Sequence, residues 1–300
     1  MFIIKYKKIF LSLSLFIVLL SLGFVLFLGL PLGIDFKGGA LMEVTYAGAR
    51  PALSDVNAAI STLNLGETVV QESGDKDFIV KTRDLSEAER VTVLSTLAVD
   101  KNSPATETTF TSIGPSVGTE LARKAIIAII LVILAIIIFI AWAFRKVSEP
   151  VASWKYGLIA IVTLAHDIII PSGVFALLAH FRGAEVDTLF VVALLTVLGL
   201  SVSDTIVVFD RIRENLRLHT SNNFAETVGK SLSQTFTRSI NTSLTVILVL
   251  LVLFFVGPDA TKNFSIVLIV GMFFGTYSSI FVASPILVLV EGLQRKKLKK

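Results

Sequence analysis

Six runs of predominantly apolar residues, each near the roughly 20 residues needed to cross a bilayer, constrain this chain of 300 residues more than any other feature. They cover 9–30, 125–144, 156–180, 189–209, 239–256 and 264–290. Backbone polar groups facing lipid have no water to bond, so each run is expected to satisfy its own amides as a helix. Composition agrees: 54% of residues are hydrophobic and 17% charged, against about 45–50% and 25% in soluble domains. Lys5, Lys7 and Lys8 precede the first run as in a signal peptide. That run is too long for an h-region and lacks an A-x-A exit, so an uncleaved helix is expected.

Several chemistries lack their residues. There is no cysteine, which removes disulfides, thiolate catalysis and Cys-ligated zinc. His166, His180 and His219 are far apart and form no H-E-x-x-H motif. Gly229-Lys230-Ser231 resembles the end of a P-loop, but Phe224 stands where the first glycine belongs and no strand precedes it. No catalytic residue, metal ligand or cofactor is therefore expected, and the chain reads as a non-enzyme.

Orientation follows from the short basic loops. Lys5, Lys7 and Lys8, then Arg145, Lys146 and Lys155, then Arg211, Arg213, Arg217 and Lys230, then the 295–300 tail, fall on one side if six helices alternate. Both termini are then cytoplasmic, and the long segment 31–124 is exported. This segment carries thirteen carboxylates against nine basic groups, so the overall charge of +4 is a topology signal and does not imply nucleic acid as a partner. The tail suits anchoring at anionic lipid, and 210–230 reads as an amphipathic interfacial stretch.

Within the exported segment the pattern is strand 40–47, helix 52–63, strand 67–73, strand 77–82, helix 87–97 and strand 107–113. Gly74-Asp75-Lys76 separates the middle strands as a hairpin, and Ser86-x-x-Glu89 is a capping box. The fold class is an α-helical polytopic membrane protein with six transmembrane helices and one α+β domain, βαββαβ and ferredoxin-like, between helices 1 and 2. The expected divisions are 1–31 (N-terminus and first helix), 32–123 (exported domain), 124–294 (five-helix remainder) and 295–300 (basic tail). From pattern alone, a plain exported spacer fits this domain equally well.

Polar residues inside the apolar runs carry the functional information, because a charge at mid-bilayer costs at least about 2.5–3.5 kcal/mol. Asp167 lies mid-helix after His166, with Pro171 four residues on; a relay role or a hydrogen bond at the proline kink both fit. Asp204 follows Gly199 and Ser203, small residues that suit close helix approach. Arg238, just before the fifth run, begins the fifth helix at a depth similar to that of Asp204. Such a pair is either the minimal part of a proton relay or a static ion pair. Gly271-x-x-x-Gly275-x-x-x-Ser279 is a small-residue stripe expected to pack on another helix.

Longer motifs add a resemblance. Gly33-Ile34-Asp35-Phe36-Lys37-Gly38-Gly39, the stretch from Asp204 to Asn215, Arg238-Ser239-Ile240-Asn241-Thr242-Ser243, His166-Asp167 and Tyr277-Ser278-Ser279 together resemble the SecF family of protein-export membrane subunits, across essentially the whole chain. The family belongs to the resistance-nodulation-division superfamily, whose members couple cation flow to work. The resemblance implies a six-helix half-bundle in the bacterial cytoplasmic (inner) membrane, completed by SecD. It also implies action with SecYEG, YajC and SecA-driven preprotein, with Asp204 and Arg238 in the proton-pathway positions. Leu200 and Ser203 stand where the family often has Tyr and Asn, which leaves proton and sodium coupling both open. Gly33, Asp35, Phe36, Gly38 and Gly39 are read as a hinge where the chain leaves the membrane, the paired glycines permitting a turn. A half-transporter of the same superfamily, exporting small molecules or lipids, is the alternative function.

Overall fold

The computed structural model describes residues 2–98, 104–144, 151–221 and 223–298. Arg145, Lys146, Lys299 and Lys300 of the basic groups lie outside the described residues. Two compact units form: one comprises Met1–Pro31, Ala128–Ala184 and Leu189–Lys300, the other Leu32–Ile127 together with Glu185–Thr188.

The helical unit begins with the short turn α1 (Phe2–Lys5) and α2 (Lys7–Leu28). It continues through most of α6 (Pro115–Ala143), α7 (Ser153–Arg182), α8 (Thr188–Arg217) and α9 (Phe224–Val256). A 3-10 turn (Asp259–Thr261), α10 (Lys262–Ser278), a π-helical segment (Ser279–Ala283) and α11 (Ser284–Leu298) complete it. Among the described residues six helical stretches are long and apolar enough to cross a membrane, the last running from Asp259 to Arg295. Caps set the ends. Pro115 opens α6, where a missing amide costs nothing. The Asn223 side chain accepts from Ala225 N at 3.0 Å to start α9, and Gly183, at φ 65°, closes α7. The fourth and fifth runs therefore extend into 210–230 as regular helix, because Arg, Glu and Lys continue a helix past the lipid boundary.

At least half of the most apolar stretch is buried in α7, in α8 and in the Asp259–Arg295 span, whereas less than a fifth of it is buried in α2, α6 and α9. The candidate carboxyl groups Asp167 and Asp204 thus sit on the interior helices α7 and α8, whereas Arg238 is on α9. One core cluster stacks Phe144 on Tyr156 at 5.6 Å, with Phe209 edge-on to Tyr156 at 5.2 Å. Helices α2 and α7 approach closely at Gly173, where a Cβ would lie 2.5 Å from Ser21 Cβ.

The α+β unit contains α3 (Ile34–Lys37), β1 (Gly39–Tyr46), α4 (Leu53–Ser61), β2 (Val69–Ser73), β3 (Asp77–Thr82), α5 (Glu87–Leu97) and β4 (Ala105–Ile113). The strand order β2-β3-β1-β4 is antiparallel throughout. β3 therefore lies between the mutually parallel β1 and β2, the split-βαβ arrangement. Alternation on β1 and β3 buries Met42, Val44, Tyr46, Phe78 and Val80 against Val56, Ile60, Val93 and Leu97. Tyr46 Oη donates to Leu97 O at 2.8 Å. Ser86 and Glu89 form the capping box on α5, and the neighbouring Arg83 guanidinium and the Ser86 bonds pull the Glu89 carboxyl down to about 2.

Candidate functional site

Asp167 is completely buried on α7. Its Oδ1 meets His166 Nδ1 at 2.7 Å, and its Oδ2 accepts from Ser278 Oγ of α10 at 2.8 Å and from Ser201 Oγ of α8. Three helices thus converge on one carboxyl group. Pro171 has no amide to give the Asp167 carbonyl one turn back, a local weakness in the helix at the same level. His166 stacks on Tyr277 at 6.3 Å, and its Nε2 is buried without a hydrogen-bond partner among the described residues.

One turn along α8, Asp204 is half-buried. Ser239 Oγ of α9 donates to its Oδ1 at 2.5 Å, and Ser279 Oγ of the π segment donates to its Oδ2. Asp204 and Arg238 line the same pocket of about 90 Å³, with Ser201, Ser203, Thr242, Ser243, Gly275 and Thr276 among its walls. Matching depth alone suggested an ion pair, but among the described residues none joins Asp204 to Arg238 within 4.0 Å. The reason is rotational: neighbours on a helix point about 100° apart, so Ser239 faces Asp204 while Arg238 is turned to the exposed side of α9.

Consecutive serines therefore serve two carboxyl groups, Ser278 at Asp167 and Ser279 at Asp204. They straddle the start of the π segment, where the helix changes pitch, and Ser284 Oγ donates to Ser279 O at 3.2 Å across that wider turn. Such segments recur at functional sites. The stripe Gly271, Gly275, Ser279 faces α8: a Cβ on Gly271 would lie 2.2 Å from Val197 Cγ2, and one on Gly275 would lie 3.0 Å from Ser201 Cβ. Gly199 and Ser203, grouped with close packing by sequence, take no part in this contact. They are exposed, and a Cβ on Gly199 would meet nothing within 4 Å, because each lies two residues, about 200° of rotation, beyond Val197 and Ser201.

The early glycine motif folds in the α+β unit. Phe36 is buried, and Gly38 (φ 82°) and Gly39 (φ 133°) occupy backbone conformations that side chains resist. A Cβ at Gly38 would lie 2.7 Å from Pro115 Cα, and one at Gly39 would lie 2.7 Å from Thr82 O. Gly33 N donates to Val186 O, and Asp35 Oδ2 accepts from Thr188 N, both at 2.8 Å.

Residues 94–292, which include Asp167, Asp204 and Arg238, match the family model for the protein export membrane protein SecD/SecF, C-terminal. The chain belongs to the SecF family. The SecD/SecF GG motif model matches residues 23–49 and so includes Gly33 through Gly39. The protein translocase subunit SecF of Thermobaculum terrenum is 41% identical over 97% of this chain and 94% of its own length. That of Anaerolinea thermophila is 38% identical over 95% and 92%. The crystal structure of SecDF from Thermus thermophilus, described as a translocon-associated membrane protein, superposes with a TM-score of 0.81 at 32% identity. It is covered over 96% of this chain but only 38% of the SecDF chain. A second SecDF structure, in the Super-membrane-facing form, matches with a TM-score of 0.68 over 99% of this chain and 39% of its own. The chain is thus a multi-pass membrane protein of the SecF family, spanning well under half of a SecDF polypeptide.

Sequence reasoning left Ser239 and Ser278 without a role of their own and gave Ser201 and Ser279 only a packing role. The available signal was hydroxyl residues recurring inside apolar helices, each needing a partner that lipid cannot provide.

Proposed function

We propose that this chain is the SecF subunit of a Sec protein translocase and works with SecD to convert an ion gradient into late translocation and release of preproteins. The names of its relatives favour this over a half-transporter for small molecules or lipids. SecD supplies the remainder of the two-part bundle, and SecYEG, YajC and SecA-driven preprotein are the wider partners. The α+β unit is on the exported side of the bacterial cytoplasmic membrane, and both termini are cytoplasmic.

The observation that carries the reading is Asp204, a carboxyl group open to a pocket, held by two hydroxyls, with Arg238, which has no ion pair among the described residues, on the same wall. An ionised carboxylate only accepts hydrogen bonds, whereas a protonated one must also donate. Protonation therefore weakens the hold of Asp204 on the Ser239 and Ser279 hydroxyls, because a neutral carboxyl accepts without the charge assistance of a carboxylate. The pocket, which Arg238 also lines, gains one positive charge per proton bound. Ser239 belongs to α9 and Ser279 to the α10–α11 span, so the event shifts the balance of contacts between three helices. Asp167, joined to the same span through Ser278, is the inner member of the relay. A sodium ion in place of the proton would use the same carboxylate and hydroxyl oxygens.

The test is preprotein secretion in cells lacking the native subunit, complemented with this chain or with Asp204→Asn, alongside capture of SecD. Loss of gradient-stimulated export with SecD still bound supports the relay. Normal export from the variant refutes it and leaves a scaffold.

A further inference from the structure

The connection between α7 and α8 is only five residues long, yet its last three, Glu185–Asp187, are part of the α+β unit together with Thr188 at the start of α8. Three separate elements hold it there. Before α3, Leu32 and Val186 form a parallel bridge, with Gly33 N donating to Val186 O at 2.8 Å. A Cβ on Gly33 would come within 3.1 Å of that same oxygen, so the glycine suits the approach. From β3, Lys81 Nζ meets Glu185 Oε2 at 3.1 Å, with the lysine side chain only 14% exposed. From α3, Asp35 Oδ2 accepts from Thr188 N at 2.8 Å.

Thr188 is the first residue of α8, and its amide is one of the four that a helix start leaves without an internal partner. A carboxylate at that end also complements the helix dipole. Asp35 is therefore an N-terminal cap supplied from 153 residues away, for the helix that carries Ser201 and Asp204. The preceding helix, α7, carries Asp167. The sequence tied the α+β unit to the membrane bundle only through the helices on either side of it. The Glu185–Thr188 segment is a third tie, and it leads directly to both carboxyl-bearing helices.

We infer that Asp35 is a positioning residue for ion-coupled export: with Lys81 and Gly33 it fixes the α7–α8 connection in the α+β unit, so that displacement of α8 when Asp204 changes state is delivered to that unit. The inference rests on the proposed function and gives a role to the aspartate of the glycine motif.

The test uses the full chain assembled with SecD, two readouts and Asp204→Asn in parallel. Hydrogen exchange at Thr188 and its neighbours should be about tenfold faster in Asp35→Ala, the equivalent of one lost hydrogen bond. The gradient-stimulated part of preprotein export should fall several-fold while SecD is still captured. Lys81→Glu and Glu185→Lys should each lower that export, and the double variant, with the charges exchanged, should recover it; loss of folding alone would not be rescued in this way. Unchanged exchange in Asp35→Ala overturns the cap. Full gradient-stimulated export from Asp35→Ala and from both single charge variants, with Asp204→Asn inactive, overturns the coupling and spares the relay. Full export from Asp204→Asn overturns the relay and with it the delivery of its displacement through Asp35, while the exchange measurement still decides the cap separately.

Discussion

Gly271→Ala isolates the close approach of α8 and α10 on which both carboxyl sites depend. The added methyl would lie 2.2 Å from Val197 Cγ2 and 2.9 Å from Cγ1, where carbon atoms prefer about 3.5–4.0 Å. Val197 is 1% exposed and β-branched, so it has little freedom to turn away. The helices must separate instead, and overpacking of this kind costs about 1–3 kcal/mol, roughly a 5- to 150-fold shift in the folded-to-unfolded ratio. Separation at Gly271 also lengthens the Ser201–Asp167 and Ser279–Asp204 contacts one and two turns on. The assay is denaturant titration of the purified chain in detergent, for Gly271→Ala, Val197→Ala and the double variant. Val197→Ala removes both γ-methyls, so the double variant should be more stable than the two single effects added together. Strict additivity, or a neutral Gly271→Ala, would refute the packing argument.

Three further outcomes follow from the same geometry. Ser278→Ala deletes one of the two hydroxyls on Asp167 Oδ2 while Ser201 stays, so the loss should be near 1 kcal/mol, and larger when Ser201→Ala is added; the same titration reads it. Gly39→Ala places a methyl 2.7 Å from Thr82 O at φ 133° and should cost about 1–3 kcal/mol, read as faster amide exchange across β1 and β3. Glu89 has its carboxyl pulled down to about 2 by Arg83 and Ser86, so its contribution is complete above the ordinary value of 4.5 and is lost as pH falls towards 2. The difference in melting temperature between the unaltered chain and Glu89→Ala should accordingly be constant from pH 7 to 5 and shrink below 4.5; a difference that grows on acidification contradicts the assignment.

How much of this was legible in the sequence depended on the distance over which each cause acts. The membrane helices are local facts of apolar length, and the split-βαβ order followed from one hairpin at Gly74-Asp75-Lys76 and one capping box at Ser86. The contacts that build the sites act over longer distances. Asp204 meets Ser239 and Ser279, which are 35 and 75 positions away, and Asp35 meets Thr188 at 153. No spacing rule reaches that far, so depth matching proposed Arg238 as the partner of Asp204 when the adjacent serine had the right rotation. The π segment was also hidden, since Ser279–Ala283 carries no proline or glycine to mark a change of pitch.

The most direct measurement is ion flux through this chain assembled with SecD in sealed vesicles, with an imposed pH or sodium gradient and a preprotein arrested in the translocon. The account predicts that Asp204→Asn abolishes preprotein-dependent flux while Asp204→Glu, which keeps an ionisable group in the same pocket, retains a measurable part of it. Flux through Asp204→Asn at the unaltered rate would contradict the claim that this carboxyl group carries the ion.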